Sequence, residues 1–336
     1  MRIDFRLDGA PEDAGRRAAE LAEAGVDGLF TFEGAHDVFL PLALATQTTS
    51  LPIMTNIAVA LPRSPMHLAH TAHDLHRMSG GKFTLGLGSQ VKTHIERRYG
   101  STWSQPAKRM REIVAATREI LAAWSEGRTP QFRGEFTRHD FVPPTFTPPP
   151  LEWGPPPVMM GALGPLMTRT AGEVSDGLLV MPFNTIRHIT ERTLPMLREG
   201  MERGGRAEGD VALLPEVITA VGTTDEEYAA ALQSARKLVA FYASTPAYAP
   251  VLEAEGITDL QPRLQQMLLD GKADRMADEI SDDLIDLITV HGTPAECARQ
   301  MADRFGALSD RICAYFPGPA PELDAIAELT QTVHEL

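Results

Sequence analysis

The five residues Glu33-Gly34-Ala35-His36-Asp37 form the densest group of ionisable side chains at the end of any β-like run, and His36 alone among them titrates near neutral pH. A general acid or base is the chemistry such a set offers. The structural alternative is a helix entry, with Asp37 capping a helix that begins at Val38 and His36 bonded to a backbone carbonyl. A second group follows a later run: Gly86-Leu87-Gly88-Ser89-Gln90, then His94-Ile95-Glu96-Arg97-Arg98-Tyr99-Gly100. Two adjacent guanidinium groups there can reach an anionic cofactor tail; Arg97 is the candidate, and a solvated face with local Glu96 pairing is the expectation for its neighbour. Finally, Gly161-Ala162-Leu163-Gly164 precedes a helix starting near Pro165. Small residues before a helix leave backbone N–H groups free for a phosphate, although an ordinary tight turn uses glycine in the same way.

His67, His70, His73 and His76 recur at every third position, which drifts around a helix and closes no ligand set. Helix-surface or neutral core histidine is the expectation for them. Cys297 and Cys313 are the only thiols, too far apart for a paired metal motif and too few for a disulfide scaffold. Neither metal nor redox-thiol chemistry is expected.

The elements that must position these groups are legible as alternating short apolar runs and helical stretches. Eight runs read as strands: Arg2 to Leu7, Asp27 to Phe32, Pro52 to Ala58, Lys82 to Gly88, Pro157 to Met160, Gly177 to Met181, Val211 to Val221 and Asp310 to Phe316. Helical segments lie between them, among them Pro11 to Ala24, Pro65 to Met78, Pro106 to Trp124 and Asp225 to Tyr242, three of them with proline suited to a first turn. Eight βα units in one chain predict a (β/α)8 TIM barrel, with the polar residues just past each strand converging on one rim. An open doubly wound sheet would need a glycine fingerprint after the first strand, and Leu7-Asp8-Gly9-Ala10-Pro11 does not supply one. The rim filter selects Asp8, Glu33, His36, Asn56, Ser89, Gln90, Lys92, Gly161 and Asn184, and little after strands seven and eight. Two insertions interrupt a single domain spanning 1–336. One, about 130–157, holds eight prolines between 143 and 157 and reads as an extended arm over the barrel. The other, about 245–281, is helical and reads as a lid or dimer element beside the mouth.

Forty-five acidic against 31 basic side chains give a net charge of −14 with no basic stripe, so nucleic acid is not an expected partner. No apolar run reaches the roughly 18 residues of a membrane span, and Met1-Arg2-Ile3-Asp4 lacks a signal-peptide core; a cytoplasmic chain is the expectation.

Taken in order, Glu33-x-x-His36-Asp37, Pro62-Arg63-Ser64-Pro65, Leu75 to Phe83, Leu85 to Gln90, His94 to Gly100, Val158 to Pro165 and Ala171 to Gly177 closely resemble the luciferase-like monooxygenase superfamily. Within it the likeness is to the coenzyme F420 (deazaflavin) dependent oxidoreductases. The resemblance implies a bacterial-luciferase-like barrel with an insertion near strand seven, a homodimer, and a flavin or deazaflavin ring at the strand C-termini. It matches His36 to the histidine that acts on the substrate hydroxyl. Asn56-Ile57 falls on a strand-three bulge, commonly with a cis peptide, that backs the ring. The cofactor would lie against Asn56, Ile57, Gly88, Ser89, Gln90, Arg97, Gly161, Ala162, Leu163 and Gly164. One departure stands out: the related sugar-phosphate dehydrogenases carry a glutamate after strand four where this chain has Gln90-Val91, and an amide cannot shuttle a proton, which leaves Glu33 as the other candidate. The implied activity is hydride transfer between F420 and a small alcohol, aldehyde, ketone or enone. The alternatives are an FMN-dependent monooxygenase using oxygen, and a silent flavin-binding barrel.

Overall fold

Eight parallel strands close on themselves in the computed structural model, which describes residues 1–336. They are β1 (Arg2–Arg6), β2 (Gly28–Thr31), β3 (Ile53–Thr55), β4 (Phe83–Gly88), β5 (Val158–Ala162), β6 (Gly177–Val180), β7 (Ala212–Val221) and β8 (Arg311–Tyr315). Neighbours in sequence pair in turn, and β8 returns to β1. The eight sequence runs thus become the eight staves of the expected (β/α)8 barrel. Runs such as Gly28–Thr31 and Gly177–Val180 are buried along their whole length because helices cover the outside and side chains fill the inside.

Alternation sorts the strand residues. Ile3, Phe5, Leu29, Ile53, Leu85, Leu87, Leu178 and Ile312 face outward into the main core under the helices. Phe30, Met54, Leu179, Leu214 and Cys313 face inward and make a separate apolar plug. The barrel is therefore closed in its middle and open only at its ends. At the N-terminal end, Arg311 makes a two-pronged ion pair with Asp4 (2.6 and 2.7 Å) and donates to the carbonyl of Asp27. Asp4 is only 2% exposed, and a Cβ at Gly28 would strike both partners at 2.4 Å, so glycine makes the room for the pair.

Some features depart from the sequence expectations. The third run is broken into β3 and a two-residue strand, Ala58–Val59. Met54 pairs with Thr84 but Ala58 with Leu87, so four steps along one strand match three along the other, which defines a bulge. A short strand, Thr289–Gly292, lies parallel to the end of β7, and Phe132–Arg133 pairs with Arg138–His139 in a hairpin. The proline arm does not lie over the mouth. The hairpin before it packs back along the helix Pro106–Ser125, with the N–H groups of Glu135 and Phe136 donating to Glu112 (both 2.8 Å). The arm then descends, taking a bond between Pro149 O and His73 Nε2 (3.0 Å) and setting Trp153 against Gly81, ahead of β4, before it enters β5 from below. Proline suits this path because the arm needs no ladder hydrogen bonds. Between residues 245 and 281 lie the helices Ala249–Ala254 and Leu260–Leu269, which with the flanking helices Asp225–Ala243 and Asp282–Ile288 enclose a core of their own beside the mouth.

Removing one partner of the Asp4–Arg311 pair leaves a charge buried without its counterpart. Arg311→Met should cost about 3 kcal/mol in urea unfolding, and adding Asp4→Asn should recover much of that loss. Equal destabilisation by the single and double changes would show that the pair is not what closes the barrel base.

Candidate active site

The bulge brings the candidate residues together. The Asn56–Ile57 peptide is cis, and the side chain of Ile57 lies across the mouth between strands four and five. A Cβ at Gly88 would meet Ile57 at 2.7 Å, and one at Gly161 would meet it at 3.2 Å, so both glycines are the floor on which this side chain rests. Gly86 lets the bulge form: its own Cβ would fall 1.9 Å from the carbonyl of Thr55, whose hydroxyl instead bonds both Gly86 O (2.8 Å) and Gly86 N (2.9 Å). The result is an apolar shelf at the strand C-termini.

Glu33 fixes that shelf. One carboxylate oxygen accepts from Val59 N (2.7 Å) and Arg63 Nη1 (2.6 Å), the other from the Tyr99 hydroxyl (2.8 Å), while Glu33 N donates to the carbonyl of Ile57 (3.2 Å). Its side chain is 8% exposed, and the three donors on its two oxygens tie it to the bulge. His36 is the opposite case. It is exposed on the loop after β2 and its ring makes no hydrogen bond, whereas Asp37 accepts from Phe39 N and Leu40 N and starts the next helix. The helix begins at Leu40 and not at Val38, with Phe39 as its cap residue and no side-chain cap, so Asp37 shapes the turn ahead of it, and His36 remains free.

Arg98 and Arg97 divide similarly. Arg98 donates to Gly34 O (2.7 Å) and lies over the Tyr99 ring, tying its segment to the β2 loop; Arg97 is exposed and unpaired. Gln90 takes a left-handed backbone (φ 59°), and its side-chain oxygen accepts from Val91 N, so it folds onto its own chain; Ser89 donates to Gln90 O. Gly161 and Ala162 are not turn residues, since β5 runs to Ala162 in register with β6. The turn is Leu163 and Gly164, before the helix Pro165–Val174, which has no side-chain cap. The N–H groups of Leu163, Gly164, Leu166 and Met167 have no acceptor in the chain, so the free donors lie slightly further on than the sequence reading placed them.

Sequence reasoning missed the opposite wall. Arg6 of β1, Glu216 of β7 and Tyr315 of β8 point into the barrel one step above the apolar plug, joined by Phe32, which is 46% exposed. Arg6 pairs with Asp8 and lies over the rings of Phe32 (5.2 Å) and Tyr315 (4.8 Å). Tyr242, Tyr248 and Phe183 pack against one another beside them in tilted and edge-on contacts. A charged residue at an inward position of a long apolar strand was the available signal; a search confined to residues past the strand ends passes over it. At the end of β6, buried His188 donates from Nδ1 to Asn184 Oδ1 (2.9 Å), and burial pushes its pKa down to about 4. The Nδ2 groups of Asn56 and Asn184 are buried with no partner.

Three of the spaced histidines serve packing: His73 bonds the proline arm, His76 donates from Nδ1 to Phe83 O (3.1 Å), and His70 packs tilted against Trp124. No three His, Cys, Asp or Glu side chains converge as a metal site, and both cysteines are buried. No helix is long and apolar enough to cross a membrane.

This barrel, with its bulged third strand, places the chain in a known class. Residues 5–311 match the model of the luciferase-like monooxygenases, and the chain belongs to that family of oxidoreductases. It is 41% identical over 323 residues, 95% of each chain, to an uncharacterized protein of Mycobacterium tuberculosis strain H37Rv. It is 29% identical over 287 residues to the 5,10-methylenetetrahydromethanopterin reductase of Archaeoglobus fulgidus, covering 83% of this chain and 80% of that one. Its fold is shared, at a TM-score of 0.75 and 19% identity over 99% of this chain and 98% of the other, with an F420-dependent secondary alcohol dehydrogenase solved with an F420-acetone adduct.

Glu33 and His36 make opposite stability predictions. Glu33→Ala strips three donors of their acceptor and should cost about 2 to 3 kcal/mol, whereas His36→Ala should stay within about 0.5 kcal/mol, both read by urea unfolding. His188 supplies a pH test. Its folded pKa lies below the usual 6.5, so the unfolded chain binds the extra proton, and stability should fall as pH drops from about 6.5 to about 4, by roughly 3 kcal/mol at most. His188→Gln should flatten that limb; an unchanged acid profile would remove the assignment.

Proposed function

We propose that this protein is an F420-dependent oxidoreductase that moves a hydride between the deazaflavin and a small organic substrate carrying an alcohol, aldehyde, ketone or enone group. The observation that carries the reading is the Ile57 shelf, held by Gly88 and Gly161 and adjoining a turn with unpartnered N–H groups. A flat apolar face beside free donors suits a planar ring with an anionic tail. What supports the deazaflavin over FMN is a Mycobacterium tuberculosis relative, 28% identical over 313 residues, named as a putative coenzyme F420-dependent oxidoreductase.

When bound, the deazaflavin supplies a two-electron hydride carrier. The chain supplies the rest. Ile57 backs the ring, and the buried Nδ2 groups of Asn56 and Asn184 offer donors to its polar edge. The N–H groups of Leu163, Gly164, Leu166 and Met167, helped by the helix dipole and by Arg97, hold the phosphate. His36, free on the rim, takes or gives the proton at the substrate oxygen. Glu33 acts through others, keeping the bulge in place, and Gln90 takes no part in proton transfer. Two copies of the chain associate in the active form.

Titration with F420 and with FMN, followed by quenching of cofactor fluorescence, should show saturable F420 binding and markedly weaker FMN binding; the reverse order would make the chain an oxygen-using flavin enzyme. Gly161→Val displaces Ile57 and should weaken F420 binding strongly, with Ile57→Ala restoring part of it. His36→Ala should leave F420 affinity nearly intact and slow the chemical step by about 10²- to 10⁴-fold, with loss of one limb of the pH profile. Full turnover in folded His36→Ala would end its role as the proton carrier.

A further inference from the structure

Glu216 is the one carboxylate that looks into the barrel with no partner in the chain. It stands directly above Leu214 of the apolar plug on β7, in register with Cys313 of β8, and is part exposed, with no donor bonded to it. The groups around it are all identifiable. Arg6 faces it from β1, Cys313 and Tyr315 from β8, and Tyr242 from the helix Asp225–Ala243, with Asp8 just beyond β1. Arg6 is the only cation among them, and it is already committed to Asp8, to two aromatic faces and, at 3.4 Å, to the carbonyl of Phe316. The Tyr242 hydroxyl finds no acceptor in the chain, and Phe183 and Tyr248 pack an apolar wall behind it.

We propose that Glu216, with Arg6, Tyr242 and Tyr315, forms the substrate subsite of the mouth, which takes a small uncharged molecule by its carbonyl or hydroxyl oxygen. The proposal deepens the oxidoreductase reading and rests on it only for the statement that this ligand is the substrate. Burial pushes the Glu216 carboxyl up to about 8, with Arg6 opposing, so near neutral pH it carries its proton. A neutral acid donates to a carbonyl oxygen, while its conjugate base can only accept and leaves that oxygen facing a negative charge. Apolar walls with a few convergent polar groups exclude charged ligands and select neutral ones.

The test uses the chain without added cofactor, so that it is independent of whether F420 binds. Cyclohexanone binding, followed by ligand-observed NMR, should weaken by at least about tenfold between pH 6 and pH 9.5 as the donor is lost. Glu216→Gln keeps an N–H donor and should bind with no such pH dependence; Glu216→Leu should lose binding at every pH; cyclohexanecarboxylate should not compete. Infrared difference spectra of the wild type against Glu216→Gln should show a protonated carboxyl band at pH 7 that disappears above the pKa. Because the folded pKa is raised, the wild type should also lose stability relative to Glu216→Gln as pH rises from about 4.5 to about 8, then run parallel to it. Ketone binding that is flat with pH, identical pH dependence in Glu216→Gln, or no protonated band at pH 7 would each overturn the subsite. Intact ketone binding in a protein that fails to take F420 would instead sink the redox reading and leave the subsite standing.

Discussion

The carboxylate of Glu33 is the constraint on which the mouth depends. Three donors from three segments converge on it: Val59 from beyond the bulge, Arg63 from the following loop and Tyr99 from behind β4. A bulge costs a ladder its regular bonds, and here the orphaned backbone is repaid by a charged side chain from the neighbouring strand and by the hydroxyl of Thr55. Because the same residue also bonds the carbonyl of Ile57 through its own N–H, the shelf cannot shift without breaking the set. An acid used in this way gives the mouth its rigidity.

The mouth then divides by chemistry. On the side of strands three to five, glycines bring backbones close and leave one apolar surface with free N–H groups next to it. On the side of strands one, seven and eight, longer side chains with polar ends rise above the plug of Phe30, Met54, Leu179, Leu214 and Cys313. The plug beneath Glu216 and the Tyr242 and Tyr315 side chains near it take its carboxyl partly out of water, and that burial moves its pKa upward. The second insertion closes this side, its core reaching Leu163, Met181 and Tyr315 at the rim.

Much of this was legible in the sequence because both faces of each strand are covered, which writes continuous apolar runs into the chain. The eight runs, the helix between 65 and 78 and the position of the bulge at Asn56-Ile57 follow from that pattern and from the family likeness. The interior residues were not legible by the same means. Arg6, Glu216 and Tyr315 lie within strands, where only the period of two reveals which way they point, and Tyr242 comes from a helix distant in sequence. The proline arm reads correctly as extended, but composition carries no information about which end of the barrel it crosses; that is decided by His73 and by the room Gly81 leaves for Trp153. Thr289–Gly292 is too short to stand out beside the helix that precedes it. Glu33 could be located but not interpreted, since a carboxylate that holds a bulge and one that moves a proton look alike in sequence.

A crystal structure of the protein with F420 tests the central claim most directly. The deazaflavin ring is expected in van der Waals contact with Ile57 over Gly88 and Gly161, and the phosphate on the N–H groups between Leu163 and Met167. A ring bound elsewhere in the barrel, or a phosphate held away from that turn, would contradict it.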